Sequence, residues 1–130
     1  MPPFLLSYIL VFFGGGLGTM LRHGVNRLAL IYTPDYPLGT LAINITGCFL
    51  MGILTAWFTF RGEDSSQHLR LFLTTGMLGG YTTFSAFSLD AALLWERGEP
   101  LAMLAYGGAS LIGTIAAVFA GLALGRSLFA

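Results

Sequence analysis

The chain of 130 residues has no lysine, one cysteine and two histidines, and only 9% of its residues are charged. A soluble domain carries about 25% charged residues, so this scarcity excludes an ordinary soluble domain and indicates a membrane protein. The lone Cys48 cannot form a disulfide within the chain. His23 and His68 lie near the expected membrane surfaces, and neither stands in a metal-ligand pattern.

Groups that perform catalysis are equally scarce. No nucleophile and base can be paired from the sequence. No phosphate-binding glycine loop is present, and no basic cluster of the kind that binds nucleic acid. We therefore expect that the protein is not an enzyme and that it binds neither nucleotides nor nucleic acid.

The chain contains four long runs without a charged residue, at 2–21, 36–60, 71–89 and 100–125. Each approaches or exceeds the roughly 20 residues needed to cross a bilayer as a helix. Outer-membrane strands would be only about 10 residues long and alternate in polarity. The first run lacks a basic start and a cleavage site, so we expect a retained helix rather than a signal peptide.

These runs predict an all-α membrane protein with a single four-helix transmembrane domain at residues 1–130. The expected spans are about 4–30, 37–60, 69–96 and 100–127.

The third span has an unusual composition at residues 76–88, with three glycines, four serine or threonine hydroxyls and two phenylalanines. A straight helix over 69–96 would measure about 42 Å at 1.5 Å per residue, which exceeds the hydrocarbon thickness. The adjacent Gly79 and Gly80 favour a break, since glycine destabilises a helix interior. Broken backbone at membrane depth is tolerated where it lines a cavity, contacts protein or holds an ion. We predict a break at residues 79–83.

Polar and aromatic residues inside the second and third spans are candidates for a binding site. Asn44 needs a hydrogen-bond partner in an apolar helix; this is either another helix or a permeating anion. Phe84 and Phe87 share a helix face, and they either pack against neighbours or turn their positive ring edges to an anion. Asp90 lies about one turn further on.

A stripe of hydroxyls marks the fourth span, where Tyr106, Ser110 and Thr114 recur at every fourth position. A single hydroxyl can bond to a carbonyl of its own helix, but three on one face favour a polar track for a ligand. At the end of the first span, Arg22 follows a glycine-rich stretch and is interpreted as an interfacial anchor beside close helix packing.

The arginines are balanced between the two sides of the membrane. Four spans place Arg61, Arg70 and Arg126 on one side, and Arg22, Arg27 and Arg97 on the other. Because the positive-inside rule then has almost nothing to act on, we expect insertion in both orientations and an antiparallel homodimer. A single orientation set by other features is the alternative.

Together these residues resemble the fluoride-channel family known as Fluc or CrcB, through nearly the whole chain. The matching parts are Arg22 after the glycines, Gly39-Thr40-Leu41 with Asn44 and Gly47, Gly79-Gly80 with Thr82-Thr83-Phe84-Ser85 and Phe87-Ser88, and Tyr106 with Ser110. The third part is highly specific. The chain departs from the family pattern at Tyr81, Ala86, Asp90 and His23.

The resemblance implies an antiparallel dual-topology homodimer in the cell inner membrane, with two pores through which fluoride leaves the cell passively. The pore residues that it implies are Asn44, Thr83, Phe84, Phe87, Tyr106, Ser110 and Thr114. It also implies a structural sodium ion at the dimer centre, bound by backbone carbonyls of Gly79 and Thr82 from both subunits. The alternatives are a small multidrug-type exporter, which would need an acidic residue in the first span, and a non-transporting subunit of a larger membrane complex.

Overall fold

The computed structural model describes residues 2–63 and 66–130; Met1, Asp64 and Ser65 of the predicted domain lie outside the described residues. Every regular element in this part of the chain is a helix. In chain order these are α1 (Pro3–Tyr32), α2 (Leu38–Phe60), α3 (Gln67–Arg70), a π-helix (Leu71–Leu78), α4 (Gly79–Tyr81), α5 (Phe84–Glu96) and α6 (Pro100–Phe129).

Among the described residues, α1, α2 and α6 are each long and apolar enough to cross a membrane. They contain 30, 23 and 30 residues, which at about 1.5 Å per residue matches or exceeds a bilayer core. Their large apolar side chains are widely exposed, as for Phe12 at 74% and Leu101 at 79%. Such surfaces are stable only against lipid or protein, which agrees with the expected membrane protein.

Glycines set how closely the helices approach one another. On α1, a methyl group on Gly14 would lie 2.6 Å from the carbonyl oxygen of Phe72, and one on Gly18 would overlap the carbonyl of Met77. The pair of α2 and α6 is equally tight, since a methyl group on Gly121 would overlap the carbonyl of Phe49. Small residues allow this backbone contact where helices associate in lipid by packing.

The turn between α5 and α6 is built by Gly98, which has φ 77°, a left-handed conformation that suits glycine. The amide of Gly98 donates to the Trp95 carbonyl, and the amide of Glu99 donates to the Leu94 carbonyl. These two bonds form a Schellman motif that ends α5. Pro100 then begins α6, at a position where proline is favoured.

Candidate functional site

The chain leaves the helical conformation between α4 and α5. Thr82 has φ −85° and ψ 153°, and Thr83 has φ −154° and ψ 124°, both extended. Gly79 stays helical at φ −62° and ψ −37°, and Gly80 lies within α4. The non-helical stretch is thus narrower than the predicted 79–83. The paired glycines provide close packing instead, because a methyl group on Gly80 would overlap the Gly15 carbonyl.

Asn44 of α2 holds this extended stretch in place. Its Nδ2 donates to the Thr83 carbonyl at 3.0 Å, and its Oδ1 accepts from the Thr83 amide at 2.9 Å. The side chain is 9% exposed, so these bonds provide the partner that a buried amide requires. Of the two alternatives for Asn44, a hydrogen bond within the protein is therefore present, and its partner is the extended stretch between α4 and α5 rather than a helix.

Two backbone carbonyls are released by this arrangement. In a continuous helix the amide of Thr83 would bond to the Gly79 carbonyl, but here it bonds to Asn44. Likewise the amide of Ala86 would bond to the Thr82 carbonyl, but it donates to the hydroxyl of Thr83 at 3.2 Å, which caps α5. The carbonyls of Gly79 and Thr82 thus lose their helical partners beside the non-helical stretch.

Three aromatic rings lie in succession at the start of α5 and on α6. The ring centroids of Phe84 and Phe87 are 5.4 Å apart, and those of Phe87 and Tyr106 are 5.1 Å apart. Phe84 is 79% exposed in the single subunit, whereas Phe87 is half-buried. The row joins the non-helical stretch to the hydroxyls of α6.

The hydroxyls of α6 differ in their bonding. Tyr106 is buried and donates to Oδ2 of Asp90 at 3.1 Å. Thr114 donates to the Ser110 carbonyl of its own helix at 2.6 Å. The Ser110 hydroxyl is buried and has no hydrogen-bond partner among the described residues. A buried polar group without a partner is destabilising, so Ser110 marks a place where a ligand or water would be stabilised.

Asp90, the partner of Tyr106, also lines a cavity of about 300 Å³ between α1, α2 and α5. Its polar lining residues are Asn26, Thr33, Tyr36, Thr40 and Asp90. The sequence pattern placed Asp90 near Phe87 but did not pair it with Tyr106, gave Thr40 no role beyond the family motif, and did not indicate Asn26. The spacing of Asp90 three residues after Phe87 was the available signal for a position on the same face of α5.

Arg22 lies apart from these residues on α1. It is half-buried, and its Nε has no hydrogen-bond partner among the described residues. The structure therefore brings together Asn44 with Thr83, and Phe84 with Phe87 and Tyr106, while Ser110 and Thr114 follow on α6. No group of three or more histidine, cysteine or acidic side chains that could bind a metal occurs in the described part of the chain.

Long apolar helices with an inward line of polar groups define a multi-pass membrane protein. Residues 9–122 match the family model described as CrcB-like protein, Camphor Resistance (CrcB). The chain belongs to this family.

Relatives of similar length agree with this assignment. The chain is 54% identical over 124 residues to a protein of Paracoccus denitrificans (strain Pd 1222) named fluoride-specific ion channel FluC, covering 95% of this chain and 98% of the relative. It is 52% identical over 124 residues to a protein of the same name from Rhodopseudomonas palustris (strain BisB5), covering 95% and 99%.

Proposed function

We propose that the protein is a fluoride-specific ion channel that lets fluoride leave the cell passively. The observation that carries this proposal is the buried hydroxyl of Ser110, which has no partner among the residues that the structure describes and lies one helical turn from the Phe87–Tyr106 ring pair. An anion that accepts hydrogen bonds would satisfy this group. The names of the two relatives identify the anion as fluoride, and in a bacterium the channel would lie in the inner membrane.

The path that we propose uses donors in place of water. Asn44 donates one of its two Nδ2 hydrogens to the Thr83 carbonyl, so its second hydrogen is a donor for an anion. The hydroxyls of Thr83, Tyr106, Ser110 and Thr114 continue the path. Tyr106 and Thr114 would donate to the ion by rotating their hydrogens away from Asp90 and from the Ser110 carbonyl. Phe84 and Phe87 present ring edges that carry partial positive charge.

Selectivity follows from the size of the ion. Fluoride is small and strongly hydrated, so it must exchange its water for close donors. Amide, hydroxyl and ring-edge hydrogens can approach fluoride closely. Chloride is larger and a weaker acceptor, and the same groups would compensate its lost water less well.

The driving force needs no coupled reaction. In an acidic medium fluoride enters cells as neutral HF, which dissociates in the more alkaline cytoplasm, where the anion is trapped. An inside-negative membrane potential then favours exit by about 2.3 kcal/mol per charge for each 100 mV. A channel therefore suffices for protection against fluoride.

We also infer that α3, the π-helix, α4 and α5 form the third of four crossings, interrupted at Thr82 and Thr83. The carbonyls of Gly79 and Thr82, released from their helical bonds, suit a hard cation such as sodium, which prefers oxygen ligands. The same two carbonyls from a second subunit would complete the site. A sodium ion bound there would join the two subunits at their centre.

The partner that fits is a second copy in the opposite orientation, which the balance of three arginines against three permits. An open apolar groove of about 510 Å³ runs along α1 beside Met77, bordered by Leu17, Met20, Leu21, Gly24, Val25 and Leu28. A second helix would cover these side chains. Arg22, on the same helix but ten residues before its end at Tyr32, would lie at the membrane interface.

The alternatives have less support. A small multidrug-type exporter would require an acidic residue deep in α1, and residues 2–21 contain none. The names of the relatives do not describe a subunit of a larger complex.

The deciding experiment is anion efflux from liposomes that contain the purified protein. We expect fast fluoride release without chloride release, and no requirement for a proton gradient. Protein-free liposomes are the control. Absence of fluoride release, or release that depends on a proton gradient, would overturn the proposal.

A further inference from the structure

A cluster of polar contacts joins the loop after α1 to the turn after α5. Nη1 of Arg97 donates to the Asp35 carbonyl at 2.6 Å, and Nη2 forms an ion pair with Glu99 at 2.5 Å. The hydroxyl of Tyr36 donates to the other oxygen of Glu99 at 3.2 Å. The guanidinium of Arg97 also lies 5.6 Å from the centre of the Tyr36 ring.

Three residues of this cluster, Asp35, Tyr36 and Arg97, line a cavity that Asp90 also lines. Asp90, Leu93 and Leu94 of α5 and the following Arg97 line this space of about 170 Å³ beside the loop at residues 34–37. Asp90 also lines the cavity of about 300 Å³, and it accepts from Tyr106. Asp90 is thus shared by the two cavities, and a route of neighbouring residues runs from Arg97 past Asp90 to Tyr106, one helical turn from Ser110.

The charges around this route are unfavourable for an anion, with one exception. The acidic residues at the cluster and along the route are Asp35, Asp90 and Glu99, and all three repel fluoride. Arg97 is the one cationic residue that lines either cavity in the described part of the chain. Its side chain is 46% exposed, so solvent reaches it.

The guanidinium of Arg97 can still bind another group. It has five donors in a planar fork, and the Asp35 carbonyl and the Glu99 carboxylate take two of the nitrogens. The Schellman motif at Gly98 fixes the backbone that follows Arg97. A small anion that arrives from solution would compete with Glu99 for the same charge.

We propose that Arg97 captures small inorganic anions at the mouth of the fluoride path and that Glu99 is a competing internal anion that weakens this capture. The inference rests on the proposed channel function. Arg97 then affects the rate at which fluoride reaches Asp90 and Tyr106. Its positive charge partly offsets the repulsion of fluoride by the acidic side chains nearby. The same contacts could instead serve only to hold the loop after α1 against the turn after α5, a structural role that we call a clasp. Removing the positive charge of Arg97 and removing the negative charge of Glu99 distinguish the two roles.

The test compares Arg97→Gln with Glu99→Gln in proteoliposomes of neutral lipid, with fluoride efflux measured over a range of fluoride concentrations. A unit charge about 4 Å from an ion in water changes its local concentration about fivefold. We expect Arg97→Gln to raise the half-saturating fluoride concentration about fivefold with little change in the maximal rate. Glu99→Gln should lower it by a similar factor, because the carboxylate no longer occupies the guanidinium.

The dependence of fluoride capture on salt concentration is a second measurement. If the cluster were only a clasp, the half-saturating fluoride concentration would not change with salt. Screening acts over about 30 Å at 0.01 M salt and about 3 Å at 1 M. Raising an impermeant salt between these limits should weaken capture by the original protein and leave Arg97→Gln almost unchanged. Arg97→Lys retains the charge and should retain most of the salt dependence.

Several results would overturn the inference. If Arg97→Gln and Glu99→Gln both slow efflux to the same extent, the cluster is a clasp. If adding anionic lipid removes the effect of Arg97→Gln, a lipid phosphate rather than dissolved anion binds there. If Arg97→Gln and the original protein conduct equally at all salt concentrations, Arg97 has no part in capture. A failure of the channel proposal differs from all of these, because the unsubstituted protein would then release no fluoride.

Discussion

Single side chains in this protein decide whether polar groups inside the membrane have hydrogen-bond partners. Asn44 satisfies the amide and the carbonyl of Thr83, and so stabilises a backbone conformation that lipid alone would not tolerate. Ser110 is the converse, a buried hydroxyl without a partner in the described residues. The first residue stabilises the site, whereas the second leaves a donor for the ion.

Replacing Ser110 by alanine should therefore slow fluoride efflux while the protein remains folded. A hydrogen bond to a charged group contributes about 1.5–3 kcal/mol, which corresponds to a decrease of roughly ten- to a hundredfold. The measurement is fluoride release from liposomes. Ser7→Ala is the matched control, because the Ser7 hydroxyl donates to the Phe4 carbonyl of its own helix near the start of α1. Equal effects of the two substitutions would remove Ser110 from the path.

At the scale of elements, glycine positions decide which helices can touch. α1 lies against the π-helix and α4 at backbone distance, and Gly14, Gly18 and Gly80 leave the space for it. This packing fixes the position of Met77 and the following residues along the axis of α1. The non-helical stretch at Thr82 and Thr83 then meets Asn44, because Gly47 of the same α2 lets the Thr82 side chain approach.

Gly18→Ala should reduce the thermal stability of the purified protein in detergent. The added methyl group would overlap the Met77 carbonyl, and overpacking of this kind destabilises by about 1–3 kcal/mol. Gly16→Ala on the same helix is the control, since a methyl group there meets no atom of the described residues within 4 Å. An unchanged unfolding temperature for Gly18→Ala would contradict the close packing of α1.

At the scale of the whole molecule, the exposed apolar surfaces and the balanced charges concern assembly. The groove along α1 is lined by apolar side chains. Phe84, at the start of α5, is 79% exposed as well. A second copy would cover part of this surface. In the proposed antiparallel dimer, the released carbonyls of both subunits would meet at one point.

A tag at the C-terminus should be found on both sides of the membrane in intact cells. The reason is that three arginines flank each side, so the positive-inside rule favours neither orientation. Accessibility labelling of the tag gives the fraction on each side. Adding two arginines after Ala130 should move the C-terminus of nearly all copies to the cytoplasm. A tag that faces one way in every copy of the unmodified chain would exclude dual topology.

Composition and run length were sufficient to predict a helical membrane protein, because crossing hydrocarbon demands long uncharged segments whose backbone bonds are internal. The motif around Phe84 and Phe87 was sufficient to indicate the family. These conclusions depend on local pattern alone, and 18 glycines with few charges already limit the class.

Tertiary structure alone decided where the backbone leaves the helix and which donors are occupied. Helix propensity pointed to Gly79 and Gly80, but the capture of Thr83 by Asn44, 39 residues away, places the extended stretch at Thr82 and Thr83. The same holds for Tyr106, whose bond to Asp90 joins two helices. Hydrogen bonds between distant residues are set by packing, and no local pattern contains them.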